Sequence, residues 1–345
     1  MEADDNHFKS RQLVSGPRHR KRSKQSKNKK LLWIIPVLAV IVAAACIAAF
    51  SGGTVFSGET ARASITPISS MSTMPAANTP SAVLSAAPSP TVETPQPAET
   101  SKFLAVGVQS DEWSYVSTQL NIKIEKFKEK DLSYFVVDLY CKHASNLKTV
   151  LAKDKYGNYH ETVSGMAKRH DAILAINGDY YNWRTTGIII RNGQLYRDKP
   201  KEQVAAIFPD NQLKTYLSSK TTGKALKAEG AEQSFSFGPA LLKDGKAIPS
   251  FKGISNVRTF NPRTAIGQVE PGHYIIIVVN GRQRDGSKGM TMEDLSKLFE
   301  KYGCRTAYNL DGGGSSTLYF MGRILNSPTD GHERKTSDSI CFIEN

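Results

Sequence analysis

The sequence predicts a mixed α/β (α+β) fold: one domain whose mixed sheet contains hairpins and is flanked by helices, behind an N-terminal membrane-spanning helix and a spacer. Short apolar runs rich in β-branched and aromatic residues predict strands, and these runs outnumber the segments with helical periodicity. Asn-Gly and Asp-Gly dipeptides between such runs predict hairpins. Because some strands form hairpins while others alternate with helices, a mixed sheet is favoured over an all-parallel one.

The first 30 residues form a basic arm. Ten Lys and Arg residues stand there against three Asp and Glu residues, so about +7 of the chain's net charge of +13 belongs to the arm. A solvated basic arm can bind nucleic acid or anionic lipid. The apolar run that follows it decides between these partners, and we expect a membrane and no nucleic acid.

This run, Leu31–Phe50, has the length that a helix needs to cross a bilayer. Basic residues precede it and few follow it, which predicts a cytoplasmic N-terminus and an extracellular domain on a single-pass anchor. The alternatives are a cleaved signal peptide, for which Ala43–Ala45 supply small residues, and a buried helix of a soluble protein. The run is longer than an ordinary signal core, which favours the uncleaved anchor.

Residues 51–101 are rich in Ser, Thr, Pro and Ala and predict a disordered or extended spacer. Such a spacer would hold the following domain away from the membrane, within a cell wall. The folded domain then covers residues 102–345, which is long enough for one well-formed core.

The domain's elements follow from its patterns of apolar and turn residues. The clearest strands are Tyr134–Tyr140, Ala172–Ile176 and Tyr274–Val279. The last is apolar on both faces, so we expect it in the middle of a covered sheet. Hairpins are predicted around Asn192-Gly193, Asp244-Gly245 and Met321-Gly322. Helices are predicted over Asn158–His170 and Thr291–Tyr302, the second with a capping-box-like Thr291 and Asp294 and with Gly303 after its end.

The cysteines say little about function. Cys46 lies in the apolar run, and Cys141, Cys304 and Cys341 form an odd set in the domain. They allow at most one disulfide there, with free buried thiols as the alternative. No Cys/His cluster with zinc spacing is present in the sequence, so we do not expect a structural zinc site.

The most specific motif is the glycine-rich run between the Thr291–Tyr302 helix and the last predicted hairpin. It reads Asn309, Leu310, Asp311, Gly312, Gly313, Gly314, Ser315, Ser316. Consecutive glycines cost backbone entropy, but they let successive N–H groups converge on an anion and let a ligand approach the backbone. A flexible turn is the alternative. We expect an anion-binding nest with the Asp311 carboxylate beside it.

A second group follows the strand Ala172–Ile176: Asn177, Gly178, Asp179, Tyr180 and Tyr181, with Trp183 close behind. Polar residues at a strand end are where open α/β sheets bind ligands, although Asn and Asp can also simply cap a turn. Aromatic rings beside them suit sugar rings.

Two further groups supply charge. Arg263 stands in a segment that leads towards the predicted central strand, and Arg282 follows that strand directly; a guanidinium in such a place can clamp a phosphate or form a surface salt bridge. Near the C-terminus lies a segment dense in ionisable residues, which a solvated loop would also explain; it includes Asp330, His332, Glu333 and Arg334.

These segments, in this order, resemble the phosphodiester glycosidase family over about Asp171–Phe342. The family includes bacterial proteins assigned to exopolysaccharide biosynthesis. The resemblance implies hydrolysis of a sugar 1-phosphodiester, such as an N-acetylglucosamine-1-phosphodiester, in cell-surface glycan metabolism. Tyr181 departs from the family pattern, in which Phe is common at this position.

The resemblance also implies roles for the residues. Asp179 and Asp311 would act as nucleophile or as base for water, and Glu333 or His332 as the acid. The N–H groups of Gly312–Gly314 would hold the phosphate together with Arg263 or Arg334. Further substrate contacts are expected from Asn177, Gly178, Tyr180, Arg282, Asn309, Ser315, Ser316 and Asp330.

Two other functions remain open at this point. A wall-binding module could hold an anionic polysaccharide without turnover, and a transferase could use an alcohol in place of water during exopolysaccharide assembly. No cofactor is required by the sequence, although the Asp and Asn residues leave room for Ca²⁺ or Mg²⁺.

Overall fold

The computed structural model describes residues 101–252, 259–282 and 286–345. The predicted basic arm, the membrane span and nearly all of the spacer lie outside these residues. Within these three ranges, no helix is both long and apolar enough to cross a membrane.

The domain is built mainly of strands. In chain order they are β1 Gln109–Ser110, β2 Ser114–Val116, β3 Leu120–Lys128, β4 Ser133–Cys141, β5 Leu147–Leu151, β6 Leu174–Asn177, β7 Gly187–Arg191, β8 Gln194–Lys199, β9 Gln203–Ile207, β10 Leu213–Leu217, β11 Gln233–Phe235, β12 Leu242–Lys243, β13 Lys246–Ala247, β14 Arg263–Glu270, β15 His273–Val279, β16 Thr306–Asn309, β17 Leu318–Phe320, β18 Arg323–Ile324 and β19 Asp338–Phe342. The helices are α1 Val163–Arg169, α2 Gly223–Ala228 and α3 Met292–Lys301.

The strands form a seven-stranded sheet in the order β1-β2-β3-β4-β15-β14-β16 and two five-stranded sheets, β10-β9-β11-β7-β8 and β18-β17-β6-β19-β5, with β12 and β13 as a separate pair. Their pairings are antiparallel, including β4 with β15 and β6 with β19. The prediction of one mixed sheet is therefore wrong. Continuous apolar runs arise here because a sheet is covered on both faces, and such burial does not require parallel neighbours.

The predicted central position of the apolar run Tyr274–Val279 is confirmed, since β15 lies between β4 and β14. Its alternate side chains enter two different cores. Ile275 and Ile277 pack in the cluster that holds Leu295 of α3. Ile276 packs in the cluster that holds Ile340 of the β18-β17-β6-β19-β5 sheet. Each fully buried Ile contributes about 1.5–3 kcal/mol to folding, so these two layers hold the domain together.

The turn and cap predictions are confirmed. Each of the three predicted hairpins forms, and the first turns through Asn192 and Gly193 at φ 48° and 75°. Helix α3 begins after Thr291, whose hydroxyl accepts a hydrogen bond from the Asp294 N–H at 3.1 Å. The weaker helix prediction, Asn158–His170, shortens to α1, which begins after the capping residue Thr162.

The three cysteines of the domain are free and buried. Burial raises the pKa of Cys141, Cys304 and Cys341 to about 12 in each case. At neutral pH they are thiols without nucleophilic character, which agrees with a packing role.

Candidate active site

The candidate site lies where the ends of strands from all three large sheets meet. Strand β6 ends at Asn177 and strand β16 ends at Asn309. The Asn177 side chain is fully buried; its Nδ2 donates to the Asp311 carbonyl at 2.7 Å, and its Oδ1 accepts from Thr264 at 2.8 Å and from the Thr317 N–H at 3.1 Å. Asn177, a predicted substrate contact, thus joins the loop after β6 to the loop after β16.

Asp179 is a buried carboxylate held from four sides. Its Oδ1 accepts from the Tyr180 N–H at 2.6 Å and from Arg184 at 2.5 Å. Its Oδ2 accepts from the Ser236 N–H at 2.9 Å and lies 3.8 Å from Arg191. Burial alone would raise the pKa of Asp179, but the two guanidiniums and two N–H groups outweigh it and lower that pKa below its ordinary value. Asp179 is therefore ionised at neutral pH.

A second buried carboxylate, Asp338 at the start of β19, supports the first. Its Oδ1 accepts from the Asp179 N–H at 2.7 Å, and its Oδ2 lies 2.6 Å from Arg191 Nη2. Burial, together with the Asp179 charge and against the pull of Arg191, raises the pKa of Asp338 to about 6. Gly178 is required beside it, because a Cβ there would lie 2.5 Å from Asp338 Oδ1.

Sequence reasoning missed Arg184, Arg191, Ser236 and Asp338. The available signal was a charged residue placed directly against an apolar strand, as Arg191 is after Ile188–Ile190 and Asp338 is before Ile340. Such a charge is expensive to bury and is retained only with a partner. The sequence does not show which partner it has.

Asp311 has the opposite electrostatic environment to Asp179. It is half-buried, and its Oδ1 accepts from the Gly312 N–H at 2.8 Å. Burial is the largest influence and, with the Asp179 charge, raises the pKa of Asp311 to about 6, although Ser315, the Gly312 N–H and Arg334 oppose the rise. Two carboxylates whose environments separate their pKa values are the usual mark of an acid–base pair.

Two of the three N–H groups predicted to form the anion nest are used inside the protein. The Gly312 N–H is bonded to Asp311, and the Gly313 N–H donates to the Pro262 carbonyl at 3.0 Å. The glycines serve close approach instead. A Cβ on Gly312 would lie 2.8 Å from the Pro262 oxygen, and one on Gly314 would overlap the Arg334 guanidinium. The site therefore presents guanidinium groups where backbone N–H groups were expected.

Three arginines supply positive charge around this turn. Arg334 lies over Gly314, and Nη1 of Arg282 would be 3.4 Å from a Cβ on Gly313. Burial and the nearby charge of Arg282 lower the pKa of Arg263 to about 10. Like charges brought this close favour an anion between or beside them, because it relieves their repulsion.

The hydroxyl of Ser316 and the amide oxygen of Asn309 are buried without a hydrogen-bond partner among the described residues. Asn309 uses its Nδ2 to donate to the Gly238 carbonyl at 2.8 Å, which ties β16 to the loop after β11. Buried unpaired oxygens are uncommon and are often reserved for function.

The C-terminal loop divides between two places. Arg334 donates to Asp330 at 2.8 Å and lies over the glycine turn. Glu333 instead accepts from the Ser164 N–H at 3.0 Å and from the Ser164 hydroxyl, at the start of α1. His332 is exposed and contacts the Asp330 carbonyl at 3.0 Å. In the described chain, no hydrogen bond or ion pair joins Glu333 or His332 to Asp179 or Asp311.

No group of three or more His, Cys, Asp or Glu side chains arranged to hold a metal ion occurs within the described ranges. Asp179 and Asp338 are buried and paired with guanidiniums, whereas the half-buried Asp311 accepts the Gly312 N–H.

Residues 170–343 match the family model for phosphodiester glycosidase. The SPbeta prophage-derived uncharacterized protein YomE of Bacillus subtilis strain 168 is 36% identical over 192 residues, covering 53% of this chain and 29% of that protein. The bovine (Bos taurus) N-acetylglucosamine-1-phosphodiester alpha-N-acetylglucosaminidase is 27% identical over 112 residues, 30% of this chain and 20% of that protein. The chain thus spans less than a third of the length of these two curated relatives.

Among solved structures, the zebrafish N-acetylglucosamine-1-phosphodiester alpha-N-acetylglucosaminidase catalytic domain, auto-inhibited by its pro-peptide, has a TM-score of 0.55 and 21% identity. The match covers 66% of this chain and 83% of that chain, which shows a shared fold. The matched residues include every segment that builds the site. This chain belongs to the phosphodiester glycosidase family.

Proposed function

We propose that this chain is a membrane-anchored, extracytoplasmic hydrolase of sugar 1-phosphodiesters of the N-acetylglucosamine-1-phosphodiester kind, acting in cell-surface glycan metabolism. The family and the name of the bovine relative support the reaction. The single observation that carries the proposal is Asp311, a carboxyl group with a raised pKa that lies beside the glycine turn and feels the charges of both Asp179 and Arg334.

The guanidiniums would hold the phosphate. A phosphodiester carries one negative charge, and the planar fork of arginine donates two parallel hydrogen bonds to phosphate oxygens. Arg282 and Arg334 lie against the glycine turn beside Asp311, and Arg263 lies close enough to Arg282 to feel its charge. Bound phosphate would also bring the reacting bond next to Asp311.

Asp311 would act as the general base. A phosphomonoester leaves more readily than an alcohol, so attack by water needs more assistance than departure of the phosphate. Ionised Asp311 takes a proton from water, the oxygen bonds to the anomeric carbon, and the C–O bond breaks with its electron pair on the phosphate. A base with a pKa near 6 is ionised at neutral pH and still accepts a proton well.

Asp179 would stabilise the positive charge that develops on the sugar. Its oxygens already accept three hydrogen bonds and form an ion pair with Arg191. Asp179 is therefore a poor nucleophile but a fixed negative charge. A preorganised charge of this kind lowers a barrier without reorganising during the reaction. Glu333, which is bonded to Ser164, is not needed in this scheme.

Anchoring is proposed from the sequence. The basic arm, the apolar run Leu31–Phe50 and the Ser/Thr/Pro/Ala-rich spacer would place the domain outside the cell, where phosphodiester-linked surface glycans occur.

The substrate class can be tested with the full-length chain and three related compounds: the methyl diester of N-acetylglucosamine 1-phosphate, N-acetylglucosamine 1-phosphate itself, and methyl N-acetylglucosaminide. We expect release of free sugar from the diester and at least about a hundredfold less from the other two, which lack the monoanionic diester. Saturable binding of the diester without free sugar would instead support a wall-binding module. Sugar transfer to an added alcohol in preference to water would support the transferase.

A further inference from the structure

We propose that Tyr180, Trp183 and Phe237 form an aromatic platform that binds a sugar ring of a longer glycan next to the catalytic site. The inference rests on the proposed function, because it assigns to that same site an oligosaccharide or polysaccharide substrate in place of a small sugar phosphate. It is carried by the exposure, the mutual geometry and the attachment of these three rings.

The rings of the aromatic platform are ordered with respect to one another. Tyr180 and Trp183 are stacked, with centroids 6.3 Å apart and planes 15° from parallel. Phe237 meets Tyr180 edge-on at 5.8 Å and 84°. Trp183 is 66% exposed and Tyr180 is 37% exposed. Two nearly parallel aromatic faces are therefore available at the surface.

The aromatic residues that follow β6 differ in burial. Tyr181 is fully buried and stacks on Tyr156 at 5.2 Å, so it belongs to the core. Trp183 is largely exposed, and the rings it contacts among the described residues are Tyr180 and, at 5.5 Å and 50°, His160. Burial in the core therefore does not account for the indole, and exposed aromatic side chains grouped together are a feature of binding surfaces.

The aromatic platform is attached to the groups that hold Asp179. The Tyr180 N–H donates to one oxygen of Asp179. The Ser236 N–H donates to the other, and Phe237 is the next residue. The backbone N–H of Trp183 donates to the Tyr180 carbonyl at 3.2 Å, which joins Trp183 to Tyr180. A ligand on the platform would thus be continuous with one at Asp179.

A pyranose ring is the occupant that fits this surface. Its C–H face is apolar and flat and its rim carries hydroxyls, so it can stack on an aromatic face while its rim stays in contact with water. The proposed reaction already brings a sugar to Asp179, and the next ring of the same glycan would reach the platform without another partner. A site that binds one sugar only would leave Trp183 without a ligand.

The test is direct binding, since binding does not require turnover. We would titrate the full-length chain with triacetylchitotriose, a phosphate-free trisaccharide of N-acetylglucosamine, by isothermal titration calorimetry. We expect saturable binding that Trp183→Ala weakens by at least about tenfold. Trp183→Phe, which keeps an aromatic face, should stay within about threefold of the wild type. The matched control is Leu217→Ala, which removes an apolar side chain that is 52% exposed on the edge strand β10.

Equal trisaccharide affinity in wild type and Trp183→Ala would overturn the inference, and so would absence of saturable binding to the wild type. Self-association of the wild type that Trp183→Ala abolishes, seen by sedimentation without any saccharide, would give the surface to a second copy and would also overturn it. Failure of the proposed function has a different signature: no free sugar from the diester while trisaccharide binding persists.

Discussion

At the scale of single residues, the site depends on two carboxylates that the surrounding protein treats differently. Asp179 is surrounded by guanidiniums and N–H groups, which lower its pKa. Asp311 has fewer donors and feels the Asp179 charge, and burial raises its pKa to about 6. The sequence shows two aspartates, each in a loop after a strand. Only the arrangement of Arg184 and Arg191 around one of them makes their chemistry distinct.

The raised pKa of Asp311 predicts the pH dependence of hydrolysis. As a base, Asp311 must be ionised, so kcat/KM is expected to be half-maximal near pH 6, to reach a plateau about one pH unit higher and to fall about tenfold per pH unit at lower pH. With an aspartate at its ordinary pKa, near 3.8, kcat/KM would stay unchanged down to about pH 5. A rate that instead falls as the pH rises above 6 would show that the protonated form is active and would contradict the base role.

The proposed attack at the anomeric carbon predicts where solvent oxygen goes. Hydrolysis in oxygen-18 water should place the label in the hydroxyl of the released sugar, as detected by mass spectrometry of both products. Label in the phosphomonoester would mean attack at phosphorus, for which Asp179 would have no positive charge on the sugar to stabilise.

Asp338 is predicted to matter for stability through Arg191. Removing its charge in Asp338→Asn leaves a buried guanidinium without its nearest partner, which typically costs about 3–5 kcal/mol. The melting temperature, followed by circular dichroism, should fall clearly. The matched control is Asp131→Asn, which breaks the exposed pair with Lys288 and should leave the melting temperature unchanged. Equal effects of the two changes would show that the buried pair contributes nothing special.

At the scale of elements, the glycine turn between β16 and β17 sets the distance between the charged groups. The N–H groups of Gly312 and Gly313 are used inside the protein, so the contribution of the turn is to bring Arg334 against Gly314 and the Pro262 backbone against Gly312. An anion-binding nest and a close approach of other groups to the backbone both require glycine. The glycine run in the sequence therefore does not distinguish between these two arrangements.

This difference can be measured with a double-mutant cycle. Gly314→Ala should displace the Arg334 side chain and raise KM for the diester by about tenfold, with little change in melting temperature because the obstructing group is a flexible side chain. In an Arg334→Ala background the same Gly314→Ala change should have almost no further effect. Independent, additive effects of the two changes would argue that the glycine serves its own N–H group after all.

At the scale of the whole molecule, local patterns predicted the elements well and their assembly poorly. The Asn-Gly and Asp-Gly turns and the Thr291 cap determine local backbone geometry, so they were recognisable in sequence. The antiparallel joining of β4 to β15, far apart in the chain, leaves no local signature. The same holds for the site: Asp311 and Arg334 stood out by motif, whereas Asp338 became meaningful only once folding placed it against Asp179.

The central claim is that Asp311 performs acid–base chemistry on a sugar 1-phosphodiester, and the most direct test is to remove its ability to take a proton. The change Asp311→Asn keeps the shape of the side chain, and Asp210→Asn makes the same change at an exposed position as the control. Release of N-acetylglucosamine from its methyl phosphodiester should fall by about 10²–10⁴-fold in kcat for Asp311→Asn and stay at the wild-type level for Asp210→Asn. Full activity of a correctly folded Asp311→Asn variant would contradict the proposed function of the site.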